Sequence, residues 1–275
     1  MSPFRGSAPL TEQWHNFRFE CRDAIATVTL DRPGKLNALT FGAYADLRDL
    51  LTELPQRGDA RVLVIRGEGR AFCSGGDVNE IIGATLRMGQ DELLAFTRMN
   101  GEVIKAMREC PLPVIAVLHG MAAGAGAVIA LAADFRVATP KARFAFLFTK
   151  VGLSGGDMGS AYLLPRMVGL GRATQMLMLG DTIGAEQAER IGLISELVGQ
   201  DSLDEAVAAL AGRLASGPSH AYAQTKALLS REQDMSLSAA LELEAFTQAL
   251  LMTGQDYAEF HAAFTEGREP RWRGR

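Results

Sequence analysis

Apolar residues along the chain follow two rhythms. Residues 24–30 (AIATVTL) alternate β-branched and small positions, which predicts a strand. Residues 61–65 and 114–118 are short and almost wholly apolar, the pattern of strands covered on both faces in a parallel sheet. Further strands are predicted over residues 135–138, 143–146 and 193–198. Between them runs a helical spacing. Phe41, Tyr44, Leu47, Leu51 and Leu54 lie on one face behind Thr40, a capping residue. Residues 91–108 predict a second helix with Leu94, Val103 and Met107 inward, stopped by Pro111 and Pro113. Residues 124–133 predict a small-residue helix. Residues 1–20 carry no periodic signal and are expected on the surface. The alternation of strand and helix to about residue 198 predicts crossover units, a mostly parallel sheet and an α/β class. It divides the chain into a core over 1–200 and a helical C-terminal region over 201–275, which is either a cap or an oligomer contact.

Composition narrows the field by exclusion. The 275 residues are 48% hydrophobic and 22% charged, ordinary globular values with enough length for a large core. A net charge of −4 argues against a nucleic-acid partner, and the terminal Arg268, Arg271, Arg273 and Arg275 read as a solvated tail. Cys21, Cys73 and Cys110 show no disulfide or zinc spacing, which fits a reducing cytoplasm. No basic segment followed by an apolar run opens the chain, so no signal peptide is expected. The apolar stretch 114–133 is interrupted by His119, Gly120, Gly124 and Gly126, and reads as strand, turn and helix, with no membrane span.

Two turns carry candidate chemistry. Ala71-Phe72-Cys73-Ser74-Gly75-Gly76-Asp77 and His119-Gly120-Met121-Ala122-Ala123-Gly124-Ala125-Gly126 each follow a buried strand and precede a helix. Small residues there admit close backbone approach, and a helix start offers unpaired N–H groups. Two such donors converging on one oxygen form an oxyanion hole. The second turn completes neither GxxxxGK[ST] nor GxGxxG, because position 129 is Ile. Cys73 has no basic partner in its motif and reads as a small buried hydrophobe. His119 reads as a turn residue satisfied by backbone and Asp77 as a helix cap. Ser154 and Ser160 belong to no Ser-His-Asp order.

The string AFCSGGDVNEI, followed by PLPVIAVLHGMAAGAGAVIALAADFRVAT, resembles the crotonase family of enoyl-CoA hydratases and isomerases. The earlier LDRPGKLNAL and the later GLGRATQMLMLGDTIGAEQAERIGLISELV match the family's order, so the resemblance spans roughly residues 20–230. It implies a spiral of ββα turns with a helical C-terminal trimerisation region, as a homotrimer or a hexamer of two trimers. It implies an acyl-CoA substrate and no separate cofactor, coenzyme A being part of the substrate. Carried over by motif, the oxyanion donors are the N–H groups of Gly76 and Ala125, flanked by Gly75 and Gly124. Lys35 resembles the residue near the CoA phosphates, Leu36 and Ala38 line the adenine, and Ser74, Asp77 and Val78 stand at the thioester arm. Phe264 resembles the aromatic that reaches the CoA of its own or a neighbouring subunit.

The family pattern breaks at the two glutamates with which its hydratases hold water. Their positions are Val128 and Phe148 here. Asp157, in the glycine loop Gly155-Gly156-Asp157-Met158-Gly159, is the acidic residue left in the right region. Some isomerases and a dehalogenase of the family carry an aspartate in the equivalent loop. Hydration or double-bond isomerisation with Asp157 as the single acid–base group is therefore expected. Hydrolysis of an acyl-CoA or β-keto-CoA, and a catalytically idle CoA-binding protein, stay open as alternatives.

Overall fold

The computed structural model describes residues 10–274; residues 1–9 and Arg275 of the basic tail lie outside them. Strands β1 (Arg18–Arg22) and β2 (Ile25–Leu30) form an edge hairpin, and α1 (Phe41–Arg57) crosses to β3 (Val62–Gly67) and the short β4 (Ala71–Cys73). A π-type turn, Val78–Ile82, leads through α2 (Gly83–Thr85) to α3 (Gln90–Glu109). Then come β5 (Val114–Leu118), β6 (Met121–Ala123), α4 (Ala125–Ala132), β7 (Phe135–Ala138) and β8 (Arg143–Ala145). Helices α5 (Ser160–Val168) and α6 (Leu170–Leu179), strand β9 (Ile183–Gly184), α7 (Ala185–Arg190) and β10 (Glu196–Leu197) complete the spiral. Helices α8 (Leu203–Ala215), α9 (Ser219–Arg231), α10 (Leu237–Met252) and α11 (Gln255–Glu266) make the C-terminal region.

The first strand of each successive ββα unit joins one sheet and the second joins another. The larger sheet runs β1-β2-β3-β5-β7-β10, parallel except at β1, and the smaller runs β4-β6-β8-β9, parallel except at β9. The apolar strands are apolar on both faces because both faces are covered. Leu63, Ile65, Val114, Ala116 and Leu118 join the main core. Val62, Val64, Ile115 and Val117 join a second cluster with Leu203, Val207, Ala211 and Leu214 of α8. Each fully buried aliphatic side chain contributes roughly 1.5–3 kcal/mol.

One ion cluster pins the C-terminal helices to the sheet. Asp134 Oδ2 accepts from the Val114 N–H at 2.8 Å and faces Lys226 Nζ of α9 at 2.8 Å, while Oδ1 meets Arg108 Nη1 of α3 at 3.2 Å. Lys226 is 7% exposed, and its Nζ also donates to the Leu112 carbonyl at 2.9 Å.

Several expectations change at this level. Arg18–Arg22 is a strand although it falls partly in the segment read as irregular; two inward residues, Phe19 and Cys21, are too few to set a period. Strands β4 and β6, three residues each, are likewise too short to show periodicity. The strand expected over 193–198 contracts to Glu196–Leu197, because Leu193 and Ile194 are buried in the core by the preceding turn. Leu94, expected inward, is 45% exposed in the first turns of α3, whereas Val103 and Met107 are fully buried.

The close approach of α4 to β4 gives a stability prediction. A Cβ at Gly126 would fall 2.3 Å from the Cys73 carbonyl oxygen, whereas nothing lies within 4 Å of one at Gly101, inside α3. Gly126→Ala should destabilise by at least 1–3 kcal/mol, roughly the cost of overpacking. Gly101→Ala should stabilise by about 0.5–1 kcal/mol. Denaturant unfolding of both variants reads the two signs; equal stabilities would contradict the packing of β4 on α4.

Candidate active site

The first turn is held by a loop about forty residues upstream in sequence, the segment Arg32–Leu39 between β2 and α1. After the 3-10 turn Pro33–Lys35 the chain takes positive φ at Leu36 (51°) and Asn37 (57°). Asparagine tolerates that conformation better than leucine does. The side chain of Asn37, 1% exposed, accepts from the Arg32 N–H and donates to the carbonyls of Glu68 and Ala71, at 2.8–2.9 Å. So fastened, the loop bonds the turn along its length. Leu36 O accepts from the Ser74 N–H at 3.0 Å, the Leu39 N–H donates to Gly75 O at 2.8 Å, and the Asp77 N–H donates to Leu39 O at 2.8 Å. The N–H groups of Ser74 and Asp77 are thereby used, and among the described residues that of Gly76 has no acceptor.

Asp77 performs the expected capping and more. Its Oδ1 accepts from the N–H groups of Asn79 and Glu80, and its Oδ2 lies 3.0 Å from Arg32 Nη2. The Glu80 N–H first, then Arg32, hold its carboxyl below the ordinary range. Arg32 also donates to the Ala38 carbonyl at 2.6 Å. Lys35 is exposed, and its carbonyl accepts from Ser74 Oγ at 3.4 Å. Val78 is 65% exposed.

The second turn repeats the logic. The Gly124 N–H donates to Ala145 O at 2.8 Å, and Gly124 enters α4 at φ 50°, a conformation open to glycine. Ala125 is the first residue of the helix and keeps a negative φ, so alanine is accommodated there without strain. Its N–H has no acceptor among the described residues. The turns touch: a Cβ at Gly75 (φ 101°) would sit 3.0 Å from Ala123 O and 3.5 Å from the Ala125 nitrogen. Gly75, Gly76, Gly124 and Ala125 are thus brought together, with two free donors on adjoining turns.

Val128 and Phe148 are 0% and 9% exposed, members of the core. The Asp157 loop is braced by Ser160, whose buried hydroxyl donates to Gly155 O at 2.8 Å and accepts from the Asp157 N–H at 3.1 Å. That engagement accounts for Ser160 without nucleophilic chemistry. Asp157 Oδ1 accepts from the Met158 N–H at 2.9 Å, and Oδ2 has no partner among the described residues. Burial pushes the Asp157 carboxyl up, against the pull of the Met158 N–H. Asp157 is within electrostatic reach of the Tyr44 hydroxyl, which lies beside Gly76. Phe264 differs from the rest: it is 78% exposed on α11 with its ring against Phe260, so a single chain does not enclose it in the site.

Cys73 is the small buried residue expected, and His119 is satisfied by backbone at one ring nitrogen only, its Nδ1 being buried without a partner. The Cys73 thiol is fully buried and pushed up to about 12 by burial, which leaves it unreactive. His119 Nε2 lies 2.8 Å from the Gly69 carbonyl. Arg32, Asn37 and Tyr44 are the residues that sequence reasoning missed. Arg32 and Asn37 stand inside the quoted RPGKLNAL string, and Tyr44 was counted as one apolar position of α1.

The Asp157 environment predicts a pH-dependent stability. Its folded pKa lies above the unfolded one, so the folded state is penalised as pH rises past the ordinary carboxylate value. The penalty is complete above the raised pKa and absent below both. Asp157→Asn should raise Tm near neutrality, and the gain should vanish at about pH 3, below the ordinary carboxylate pKa. Scanning calorimetry at both pH values checks it; a gain that persists in acid would assign the effect to packing.

Comparison with known proteins agrees with the geometry. The family pattern "Enoyl-CoA hydratase/isomerase" matches residues 20–275. A Rhodobacter capsulatus protein named "Probable enoyl-CoA hydratase" is 41% identical over 263 residues, covering 95% of this chain and 99% of its own. The 1,2-epoxyphenylacetyl-CoA isomerase of Escherichia coli is 33% identical over 251 residues, with 91% and 95% covered. The crystal structure of a candidate enoyl-CoA hydratase from Streptomyces coelicolor A3(2) superposes with a TM-score of 0.98 at 70% identity, each chain covered in full. With the ββα spiral, the touching turns and these likenesses in agreement, the chain belongs to the enoyl-CoA hydratase/isomerase (crotonase) family.

Proposed function

We propose that this enzyme binds an acyl-CoA thioester with its carbonyl between the N–H groups of Gly76 and Ala125, and hydrates or isomerises an enoyl-CoA through the enolate so stabilised. The observation that carries the reading is the pair of N–H groups without acceptors on touching turns. Their loop and helix hold them before substrate arrives, so no reorganisation is needed as charge develops. Losing one such donor typically costs about 2.7–4 kcal/mol of transition-state stabilisation.

Asp157 moves the proton. Its free Oδ2 and raised pKa suit a group that both takes and returns a proton near neutrality. Val128 and Phe148 fill the places of the family's two glutamates with apolar surface. Double-bond movement needs one such shuttle, and the relationship to the E. coli isomerase supports that direction. Lys35, at the solvent edge of the loop bonded to Ser74, gives a charge-assisted contact to a CoA phosphate. Leu36 and Ala38 line the adenine, Ser74 and Val78 the pantetheine arm, and Phe148 the acyl group.

The enzyme assembles as a trimer or a hexamer of two trimers, in the cytoplasm. Leu237, Leu241, Phe246, Leu250, Phe260 and Phe264 of α10 and α11 are 52–78% exposed, more apolar surface than a solvated cap carries. A closed ring satisfies such a head-to-tail contact, and it brings Phe264 toward a neighbour's CoA. Among the described residues no helix is long and apolar enough to cross a membrane.

Calorimetry with acetyl-CoA at low and high salt tests the ligand, and affinity should fall with salt. No binding at millimolar ligand would sink the reading. Asp157→Asn should keep acyl-CoA affinity and lower kcat by ~10²-fold or more. The wild-type rate should fall on the acid side with a midpoint above the ordinary carboxylate range, since the ionised form accepts the proton. Light scattering should report the trimer or hexamer; a monomer at micromolar concentration contradicts the assembly.

A further inference from the structure

Tyr44 has a hydroxyl that the fold does not use. The residue is 3% exposed in α1, and its ring meets Phe96 edge-on at 6.1 Å. A Cβ at Gly76 would lie 3.5 Å from Tyr44 Oη, nearer than any other atom, with Ile81 next at 3.6 Å. Among the described residues the hydroxyl has no hydrogen-bond partner. Unlike Asn100 Oδ1 and Thr139 Oγ1, which are orphaned in the interior, Tyr44 Oη keeps a little accessible surface, so a bound molecule or an ordered water can partner it. Burial first, then Cys73 and Asp157, hold the phenol above its ordinary range. It is a neutral donor at every working pH, close to both the Gly76 turn and the Asp157 carboxylate.

Hydration poses a problem that isomerisation does not. A water attacking the β carbon has to be held in place as well as deprotonated, and Asp157 alone offers one anchor. We infer that Tyr44 is a catalytic residue for hydration, its hydroxyl donating a hydrogen bond to the oxygen of the attacking water while Asp157 accepts one of that water's protons. This rests on the oxyanion and Asp157 roles proposed above. The step balances. The water O–H bond breaks toward Asp157 and a C–O bond forms at the β carbon. The Cα=Cβ electron pair moves onto the thioester carbonyl, whose oxygen is held by Gly76 and Ala125. The enolate then takes the proton from the Asp157 carboxyl at the α carbon, which returns Asp157 to its starting state and leaves a 3-hydroxyacyl thioester. Tyr44 stays protonated throughout. In the reverse direction it binds the β-hydroxyl, so the site reads an oxygen at that carbon.

Tyr44→Phe removes Oη and keeps the ring against Phe96. Two reactions are followed in wild type and variant. One is hydration of short and medium trans-2-enoyl-CoA esters. The other is exchange of the α proton of a saturated acyl-CoA in D₂O, which uses the N–H pair and Asp157 without an attacking water. The expected result is a loss of ~10²-fold or more in hydration kcat, the size of a lost preorganised hydrogen-bond donor. Acyl-CoA affinity should hold within about twofold and exchange within about threefold, both small beside a tenfold change, which is 1.4 kcal/mol. Unchanged hydration overturns the proposal. So does a parallel fall in both reactions, which would make Tyr44 a support for Asp157. Wild-type exchange with no hydration also overturns it and leaves the Asp157 reading standing. Wild type that neither binds nor exchanges removes that reading, and this one with it.

Discussion

Main chain packs on main chain where the turn after β4 meets the start of α4, and the site follows from that contact. Any side chain at Gly126 would strike the Cys73 carbonyl, and one at Gly75 would crowd Ala123 and Ala125. Keeping the two turns this close is what brings two segments about fifty residues apart in sequence, each with an unused N–H group, onto adjoining turns. The contact gains nothing from hydrophobic burial of its own. It is held by what surrounds it: parallel pairing of β4 with β6, and of β6 with β8, on one side, and the small-residue packing of α4 on the other. A rigid pair of donors is bought by a wholly buried helix with no polar face.

The polar groups near the turns divide into those that hold and those left free. Asn37, Arg32, Asp77 and Ser160 spend their donors and acceptors on backbone or on one another. Such satisfied networks fix geometry, and a buried group left over is costly. The unspent atoms are Asp157 Oδ2, Tyr44 Oη and the two N–H groups, the ones to which the proposed chemistry is given. On that proposal, structural and reactive roles are separated atom by atom, at times within one residue. Asp157 uses one carboxyl oxygen to brace its loop and keeps the other.

Legibility in the sequence tracks how local each feature is. The parallel strands announced themselves because Val62–Gly67 and Val114–Leu118 are apolar on both faces, and α1 because its buried face repeats through five positions. The GG and GAG turns were legible because small residues between strand and helix have few other uses. Strands of three residues carry no period, so the second sheet was invisible. Asn37 acts through carbonyls more than thirty residues away and Arg32 through the Asp77 carboxylate, forty-five residues on, and nothing in their immediate surroundings marks them. Tyr44 was hidden for a different reason: its ring satisfied the helical pattern, and a pattern of apolar positions is blind to an oxygen at the ring's tip. Phe264 came from the resemblance, and a single chain leaves it in solvent.

The ion pair between Asp134 and Lys226 reaches further than its size suggests. It ties the first residue of β5, through that strand's N–H, to a helix more than a hundred residues later in the chain. A chain cut near residue 200 would keep Asp134 and Arg108 and lose the lysine, leaving a half-buried carboxylate short of a partner at the mouth of the sheet. The division between spiral and helical tail is thus one of chain order, since α8 and α9 supply apolar cover and charge to the sheet. During synthesis the sheet emerges first, and the lysine that neutralises Asp134 follows only with α9, so this ion cluster closes late.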